Sequence, residues 1–350
     1  MGVIGKTIGA LACSNGLGHT RRLMAISSFI LKNEYNVKID LYVSNESLRV
    51  LSGWSEYEYL KKHPNVTFIN FIYPNCQSKI FEKIEDKDWD VINLPDINKY
   101  DLVWSDNILQ VLEVRSDAIL SGSFFWHEVL SSKSSLDIKI KDFVNRQLYL
   151  LEKHKPYIAG NEYFSTPDVM NNINFFPVGL YRYNINFTKK IRRSILLSCG
   201  LGGEELELSK IALKKIIDNN LVPCDNLYVE PRILPSTYPD WIKVANFSST
   251  MFNECVAVCI RPGLGTISDS LINNSRIFAF SNPNSFEMNH NGKVIINLGV
   301  GEYCNDPYES YLNALSYVKD ESLISLQEFR TIHLRTDGIF ATAKFILNKL

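Results

Sequence analysis

Val256–Ile272, reading VAVCIRPGLGTISDSLI, is the stretch on which the fold turns. Val256 to Ile260 is an apolar, β-branched run, and it stops abruptly at Arg261-Pro262-Gly263. A second glycine, Gly265, and Thr266 follow, after which the apolar spacing becomes helical. The pattern predicts a strand, a glycine turn and a helix start. Free backbone N–H groups and the positive end of the helix dipole then face one point, which suits a phosphate. The same residues would also serve as a tight strand-to-helix turn with no ligand. Thr266 could cap the helix or give its hydroxyl to a phosphate oxygen. Asp269, one turn further on, would repel a phosphate but suits a ribose diol beyond it. The P-loop ending Gly-Lys-Ser/Thr is missing, and the spacing is not GxGxxG.

A second junction of this kind lies near the N-terminus, at Ser14-Asn15-Gly16-Leu17-Gly18-His19-Thr20. Between and beyond the two, short apolar runs alternate with amphipathic stretches. Strands are expected at 7–14, 37–43, 66–73, 101–105, 118–125, 157–159 and 175–178, with helices over 20–32 and 137–154. The second half repeats the scheme. SILLS at 194–198 runs into the glycine-rich 199–203, a helix follows over 206–217, and strands are expected at 226–229, 241–245, 256–260 and 276–280. A helix after Glu287 should stop at Gly299. Strands alternating with helices predict an α/β chain with two Rossmann-like, doubly wound parallel sheets, over 1–180 and 190–350, facing across a cleft. Ligands of such sheets bind at the C-terminal strand edges, where all three glycine loops fall.

Composition sets the limits. The 350 residues suffice for two ordinary domains. A hydrophobic content of 45% with 21% charged residues is that of a globular protein, and a formal charge of -1 makes no case for nucleic acid. The basic run Lys189-Lys190-Ile191-Arg192-Arg193 reads as a solvated linker, or as a phosphate or anionic-membrane contact. No segment reaches the ~18–20 apolar residues of a membrane span. The apolar N-terminal run leads straight into the glycine loop and reads as a core strand, with no signal peptide. Seven cysteines without a CxxC pair fit reduced, buried thiols in a cytoplasm. Six scattered histidines give no metal motif, and no GxSxG elbow occurs.

Among residues that could carry chemistry, His19 stands out. A helix dipole disfavours its charged form, which would keep it a neutral base near pH 7. Asp106, His127 and Glu128 follow strand-like runs, and any of them could orient His19 or bind an acceptor. Asp106 could equally cap the next helix. Glu287, in SFEMNHN at 285–291, could accept from sugar hydroxyls or simply favour the dipole of its helix.

Together these residues resemble the GT-B glycosyltransferases, and within them the MurG-like group. The resemblance is strongest over RPGLGTISDSL at 261–271 and FEMNHNGKVIINLGVG at 286–301. It implies that the glycine-threonine turn binds the diphosphate of a UDP-sugar and that Asp269 binds its ribose. It also implies that Glu287 and Met288 stand at the donor sugar and that 246–251 stands at the base. Met288 departs from the family's amide at that place. Gly-x-Gly-His-x-x-Arg at 16–22 is also similar to the UDP-sugar hydrolase of pseudaminic acid synthesis, where the loop His is linked to water activation. In transferases with a loop His, it activates the acceptor hydroxyl. The resemblance thus implies a catalytic His19, and Asp106 is expected to act with it. The donor set is Gly16, Gly18, Phe247, Met251, Arg261, Gly263, Leu264, Gly265, Thr266, Asp269, Glu287, Met288 and Asn291. The expected activity is metal-independent glycosyl transfer in cell-envelope or surface glycan synthesis, with no cofactor. Nucleotide-sugar hydrolysis and non-catalytic nucleotide-sugar binding are the alternatives. The expected acceptor is a glycan, a lipid-linked molecule or a small molecule, bound near 72–93. The expected location is the cytoplasm, with room for peripheral contact at the inner face of the membrane. The family fold further implies a last helix near 341–350 that crosses back to the first domain.

Overall fold

The computed structural model describes residues 5–34, 36–74, 89, 93–131, 138–181, 192–200 and 204–350. The chain divides into two compact units, Met1–Tyr181 with Asp337–Leu350, and Arg182–Thr336.

In the first unit, β1 (Lys6–Ala12), β2 (Val37–Val43), β3 (Val66–Asn70), β4 (Leu102–Asp106), β5 (Ile119–Ser121), β6 (Ile158–Asn161) and β7 (Phe175–Val178) form one sheet. Its order is β3-β2-β1-β4-β5-β6-β7, and every pairing is parallel. Strands covered on both faces read as continuous apolar runs, which is why β4 (LVWSD) is buried throughout. The order reverses between β1 and β4, whose register sets Ala12 beside Asp106. The connections leaving these two strands therefore run to opposite sides, the place where sheets of this kind bind ligands.

In the second unit, β8 (Ser194–Ser198), β9 (Leu227–Val229), β10 (Ile242–Val244), β11 (Cys255–Ile260), β12 (Arg276–Ala279) and β13 (Gly301–Tyr303) make a sheet of order β10-β9-β8-β11-β12-β13. It is parallel too, and its reversal lies between β8 and β11. The glycine turn at 261–265 leaves from that point. The fold class is thus the one expected, two Rossmann-like doubly wound sheets.

Several boundaries differ from the sequence reading. The strand expected over 118–125 ends at Ser121, and Trp126–Ser131 is a short helix. The Glu128 carboxylate accepts the Phe125 N–H at 2.7 Å, so this residue opens a helix instead of ending a strand. The first helix begins at Leu17 and not at Thr20, and the last spans Gly338–Leu347. The helix after Phe286 ends as expected, with Gly299 at φ 67°.

The last helix lies in the first unit. Phe345 stacks on Phe176 at 4.4 Å, and Gly338 N–H donates to the Leu180 carbonyl at 3.1 Å. Ile339, Ala343 and Ile346 are fully buried, and a Leu- or Ile-sized side chain contributes about 1.5–3 kcal/mol when buried.

Arg192 corrects the reading of the basic run. Its guanidinium donates to the carbonyls of Asn273, Cys255 and Phe252 and to the Ser275 hydroxyl, so it is neither solvated nor open to a phosphate. Residues 189–191 lie outside the described residues, as do 201–203 of the middle glycine loop and most of the expected acceptor loop at 72–93. Cys13, Cys199, Cys255, Cys259 and Cys304 are buried free thiols, and Cys224 is an exposed one.

Candidate active site

In the first unit, β1 leads through Cys13 and Ser14 to the helix Leu17–Asn33. Ser14 fixes the turn: its Oγ donates to the Tyr73 carbonyl at 2.8 Å and accepts the Tyr73 N–H at 3.0 Å. Gly16 holds the N-cap position at φ 99°, a conformation that only glycine adopts without strain. No side chain caps this helix, and no acid lies in its first turn. Helix ends are normally capped, so three or so N–H groups are left here for a ligand or water. His19 is the third helical residue and is 7% exposed.

The reversal between β1 and β4 brings Asp106 to His19. His19 Nδ1 lies 2.7 Å from Asp106 Oδ1. Arg22, one turn after His19 on the same helix face, grips the carboxylate with both arms. Its Nε donates to Oδ2 and its Nη2 to Oδ1, each at 2.6 Å. Ser121 Oγ, on the neighbouring strand, donates to Oδ2 at 2.7 Å and itself accepts the Trp104 indole N–H at 2.8 Å. Burial opposes the charged form of Asp106. The Arg22 charge and hydrogen bonds, with those of His19, override that and hold the carboxyl down at about 2. The Arg22 guanidinium also lies 5.1 Å above the Tyr181 ring, a cation–π contact.

A carboxylate on Nδ1 fixes the orientation of the imidazole. Asp106 thus orients His19, and its expected alternative as a cap does not hold, since Ile108 precedes the following 3-10 turn. His127 and Glu128 are engaged elsewhere. His127 Nε2 is 3.3 Å from Asp168, and burial lowers its pKa. Glu128 accepts from Phe125 N–H and from Thr166 Oγ1 at 2.9 Å. Burial pushes its carboxyl up to about 7 against those bonds. Ser121 was missed by the sequence reading, and Arg22 entered it only as part of the motif at 16–22, without a role. For Arg22 the signal was its i+3 spacing from His19.

In the second unit, the turn after β11 is tied down at both ends. Arg261 N–H donates to the Ser198 carbonyl at 3.2 Å, and Asn291 Nδ2 donates to the Pro262 carbonyl at 2.8 Å. Asn291 thereby fastens the helix Phe286–Asn297 to the turn. Gly263 is the N-cap of the helix Leu264–Ile272, again with no side-chain cap and no acid in the first turn. Thr266 is the third helical residue and does not cap the helix. The first helical bond runs from Ile267 N–H to the Gly263 carbonyl at 3.0 Å, leaving the N–H groups of Leu264, Gly265 and Thr266 without acceptors in the helix. A Cβ on Gly263 would meet nothing within 4 Å, so the turn is open there.

Around this turn, Arg261 is half-buried, 3.5 Å from the buried Glu205. Asp269 and Glu287 are half-buried, and Met251 and Met288 are buried. Phe247 takes a left-handed backbone at φ 53° and packs near Phe252. At the end of β9, the buried Glu230 carboxylate accepts from Ser198 Oγ at 2.9 Å and Cys199 N–H at 3.1 Å and pairs with Arg232. This second acid at the β8 edge was also missed. An acid directly after a predicted strand, Val229-Glu230, was the signal. Among the described residues no cluster of three or more His, Cys, Asp or Glu is placed to hold a metal ion, and no helix is long and apolar enough to cross a membrane.

No protein-family profile matches the chain, and no curated protein matches it in sequence. Solved structures do match in shape. The glycotransferase of kitacinnamycin superposes with a TM-score of 0.66 at 11% identity, covering 99% of both chains. CalG4, the calicheamicin glycosyltransferase, gives 0.62 at 12% identity, also over 99% of both chains. Arabidopsis thaliana UGT89C1, solved with quercetin, gives 0.63 at 10% identity over 99% of both chains, and it has also been solved with UDP-L-rhamnose. The likeness runs over the whole chain in each case. Two parallel-sheet units in this order, matched end to end, give this chain the GT-B fold of the glycosyltransferases.

Proposed function

We propose that this protein transfers a sugar from a nucleotide-diphosphate donor, with UDP as the nucleotide, to an acceptor hydroxyl. The observation that carries the reading is the buried His19–Asp106–Arg22 arrangement at the end of β1 and β4. An imidazole held by a carboxylate on Nδ1 presents Nε2 as a general base. It would take the proton of the acceptor hydroxyl as that oxygen attacks the anomeric carbon of the donor. The first unit would hold the acceptor, with Gly16 and Gly18 at its open turn.

The second unit would hold the donor. The N–H groups of Leu264, Gly265 and Thr266 and the positive helix end would meet the diphosphate in place of a metal and stabilise it as it leaves. Arg261 would add positive charge, Asp269 would accept from the ribose, and Phe247 and Met251 would line the base. Glu287 and Met288 would stand at the sugar, and Asn291 would hold the turn in shape. The neighbours in shape support this assignment of donor class, since UGT89C1 has been solved with UDP-L-rhamnose. A role in envelope or surface glycan synthesis, in the cytoplasm or at the membrane's inner face, belongs to the same proposal.

The test is UDP release from UDP-glucose, UDP-N-acetylglucosamine and UDP-rhamnose, with and without acceptors. Acceptor-dependent release is expected. Many turnovers to free sugar without acceptor would replace the transferase reading with a hydrolase. Tight UDP binding with no turnover of any donor would leave a binding module.

A further inference from the structure

Two buried acids, Glu205 and Glu230, stand at the C-terminal edge of the second sheet, and each faces an arginine. The two arginines are used differently. Arg232 is engaged along its Nε side: Nε donates to Glu230 Oε1 at 2.6 Å, and Nη2 donates to Glu230 and to the Gly200 carbonyl. Arg261 Nε lies 3.5 Å from Glu205 Oε1, an ion pair without a hydrogen bond. Among the described residues the Arg261 guanidinium donates to nothing, and its side chain is 24% exposed. Arg232 is a strut, whereas Arg261 keeps its donors unspent beside the glycine turn that it opens.

Glu205 has a second tie. The same Oε1 accepts the Asn282 N–H at 3.2 Å, in the segment after β12. Asn282 organises that segment: its side-chain oxygen accepts the Asn284 N–H at 2.8 Å and its carbonyl the Ser285 N–H at 3.0 Å. Ser285 is the N-cap of the helix Phe286–Asn297, which carries Glu287 and Met288. One carboxylate oxygen, withdrawn from water, thus meets both the first residue of the glycine turn and the segment leading to Glu287. A buried carboxylate with so few partners is costly, and the dipole of its own helix supports it only weakly. What it holds in place explains its presence.

We infer that Glu205 is a positioning residue for the donor diphosphate. It holds the Arg261 guanidinium by its Nε side, which leaves the Nη groups for phosphate oxygens, and it fastens the turn to the segment 282–285. A guanidinium is a planar fork whose two arms match two oxygens of a phosphate, so its orientation decides whether one bond or two can form. The inference rests on the donor reading of this turn and adds to it a residue that never touches the donor.

The experiment measures binding of UDP to the full chain by isothermal titration, and of uridine by ligand-observed NMR at about 1–10 mM. Glu205→Gln keeps an oxygen for the Asn282 N–H and removes the charge that holds Arg261. It should weaken UDP by about ten-fold or more and leave uridine, which has no phosphate, within about two-fold. In an Arg261→Met background the same Glu205→Gln change should alter UDP affinity by less than about two-fold, because Glu205 acts through Arg261. Tighter or unchanged UDP binding by Glu205→Gln would overturn the inference, since the carboxylate would then only repel the diphosphate or do nothing to it. Equal losses of UDP and uridine, or an undiminished loss of UDP in the Arg261→Met background, would overturn it too and leave Glu205 a structural group. Failure of the donor reading looks different: the wild type itself then binds UDP no better than uridine.

Discussion

Removing the Arg22 guanidinium while keeping its apolar stem, as in Arg22→Met, separates structure from chemistry at the candidate base. In the wild type the guanidinium makes two 2.6 Å bonds to a carboxylate with no exposed side-chain surface, and its Nη2 lies 3.3 Å from His19 Nδ1. Two effects follow. The buried carboxylate loses its cation, and breaking such a pair from one side costs about 3–5 kcal/mol. For a unit of this size that lowers Tm by roughly 10 °C. The second effect is electrostatic. A unit charge about 4 Å away is worth about 4 kcal/mol at an effective dielectric of 20, and one pH unit is 1.36 kcal/mol. Without Arg22 the buried Asp106 carboxyl loses the charge that holds it down and takes up its proton at higher pH. Relaxation and water entry absorb part of this, so the acid limb that Asp106 sets should move up by about one to two pH units. The assays are thermal unfolding and UDP release from pH 3 to 9. An acid limb that stays within about 0.3 units, beside a large Tm loss, would refute the electrostatic role and leave Arg22 a structural strut. An unchanged Tm would refute the buried ion pair itself.

His19→Ala should reduce turnover by about 10²–10⁴ while isothermal titration shows UDP affinity intact. Asp269→Asn should raise the donor KM by about ten-fold or more with little change in kcat, since a charge-assisted bond contributes about 1.5–3 kcal/mol. Glu128 gives a pH test. Its carboxyl sits at about 7 in the fold against 4.5 ordinarily, so the folded chain holds that proton more tightly. Its share of stability is present below pH 4.5 and is lost, by about 3 kcal/mol, as pH rises through 7. Glu128→Gln should flatten that decline in a Tm series from pH 4.5 to 8. Asp106 has the opposite sign: its carboxyl sits at about 2 against 3.8, so its share is present above pH 4 and is lost as pH falls through 2.

Uninterrupted apolar or alternating strands were the most legible part of the fold, at the edge of a sheet or inside it. β2, β7 and β8 fall on the expected residues, because uninterrupted apolar or alternating runs have few other uses. Short elements were not legible: β13 has three residues, and Trp126–Ser131 hides behind the apolar run of β5. The helices Pro307–Tyr317 and Glu321–Thr331 were passed over although Asp306 and Asp320 cap them with their side chains. At the site, the loop around His19 marked itself by its glycines. Its partner did not, since Asp106, His127 and Glu128 look alike locally. Only the β1–β4 pairing, a contact between residues far apart in the chain, selects Asp106. Arg22 depends on that same pairing, and Ser121 on the β4–β5 pairing that sets it beside Asp106.

The helix Gly338–Leu347 belongs to a unit whose other residues precede Arg182, so the second unit is an insertion within the first. On the ribosome this reverses the order of completion. The second unit is contiguous in sequence and can close as soon as it emerges. The first must wait, with the groove that receives Ile339, Ala343, Phe345 and Ile346 still open, until the whole second unit has been made. Phe176 stays uncovered for that interval. Nascent chains stalled before residue 338 should therefore show a protease-resistant second unit beside a first unit that is still loose and chaperone-bound.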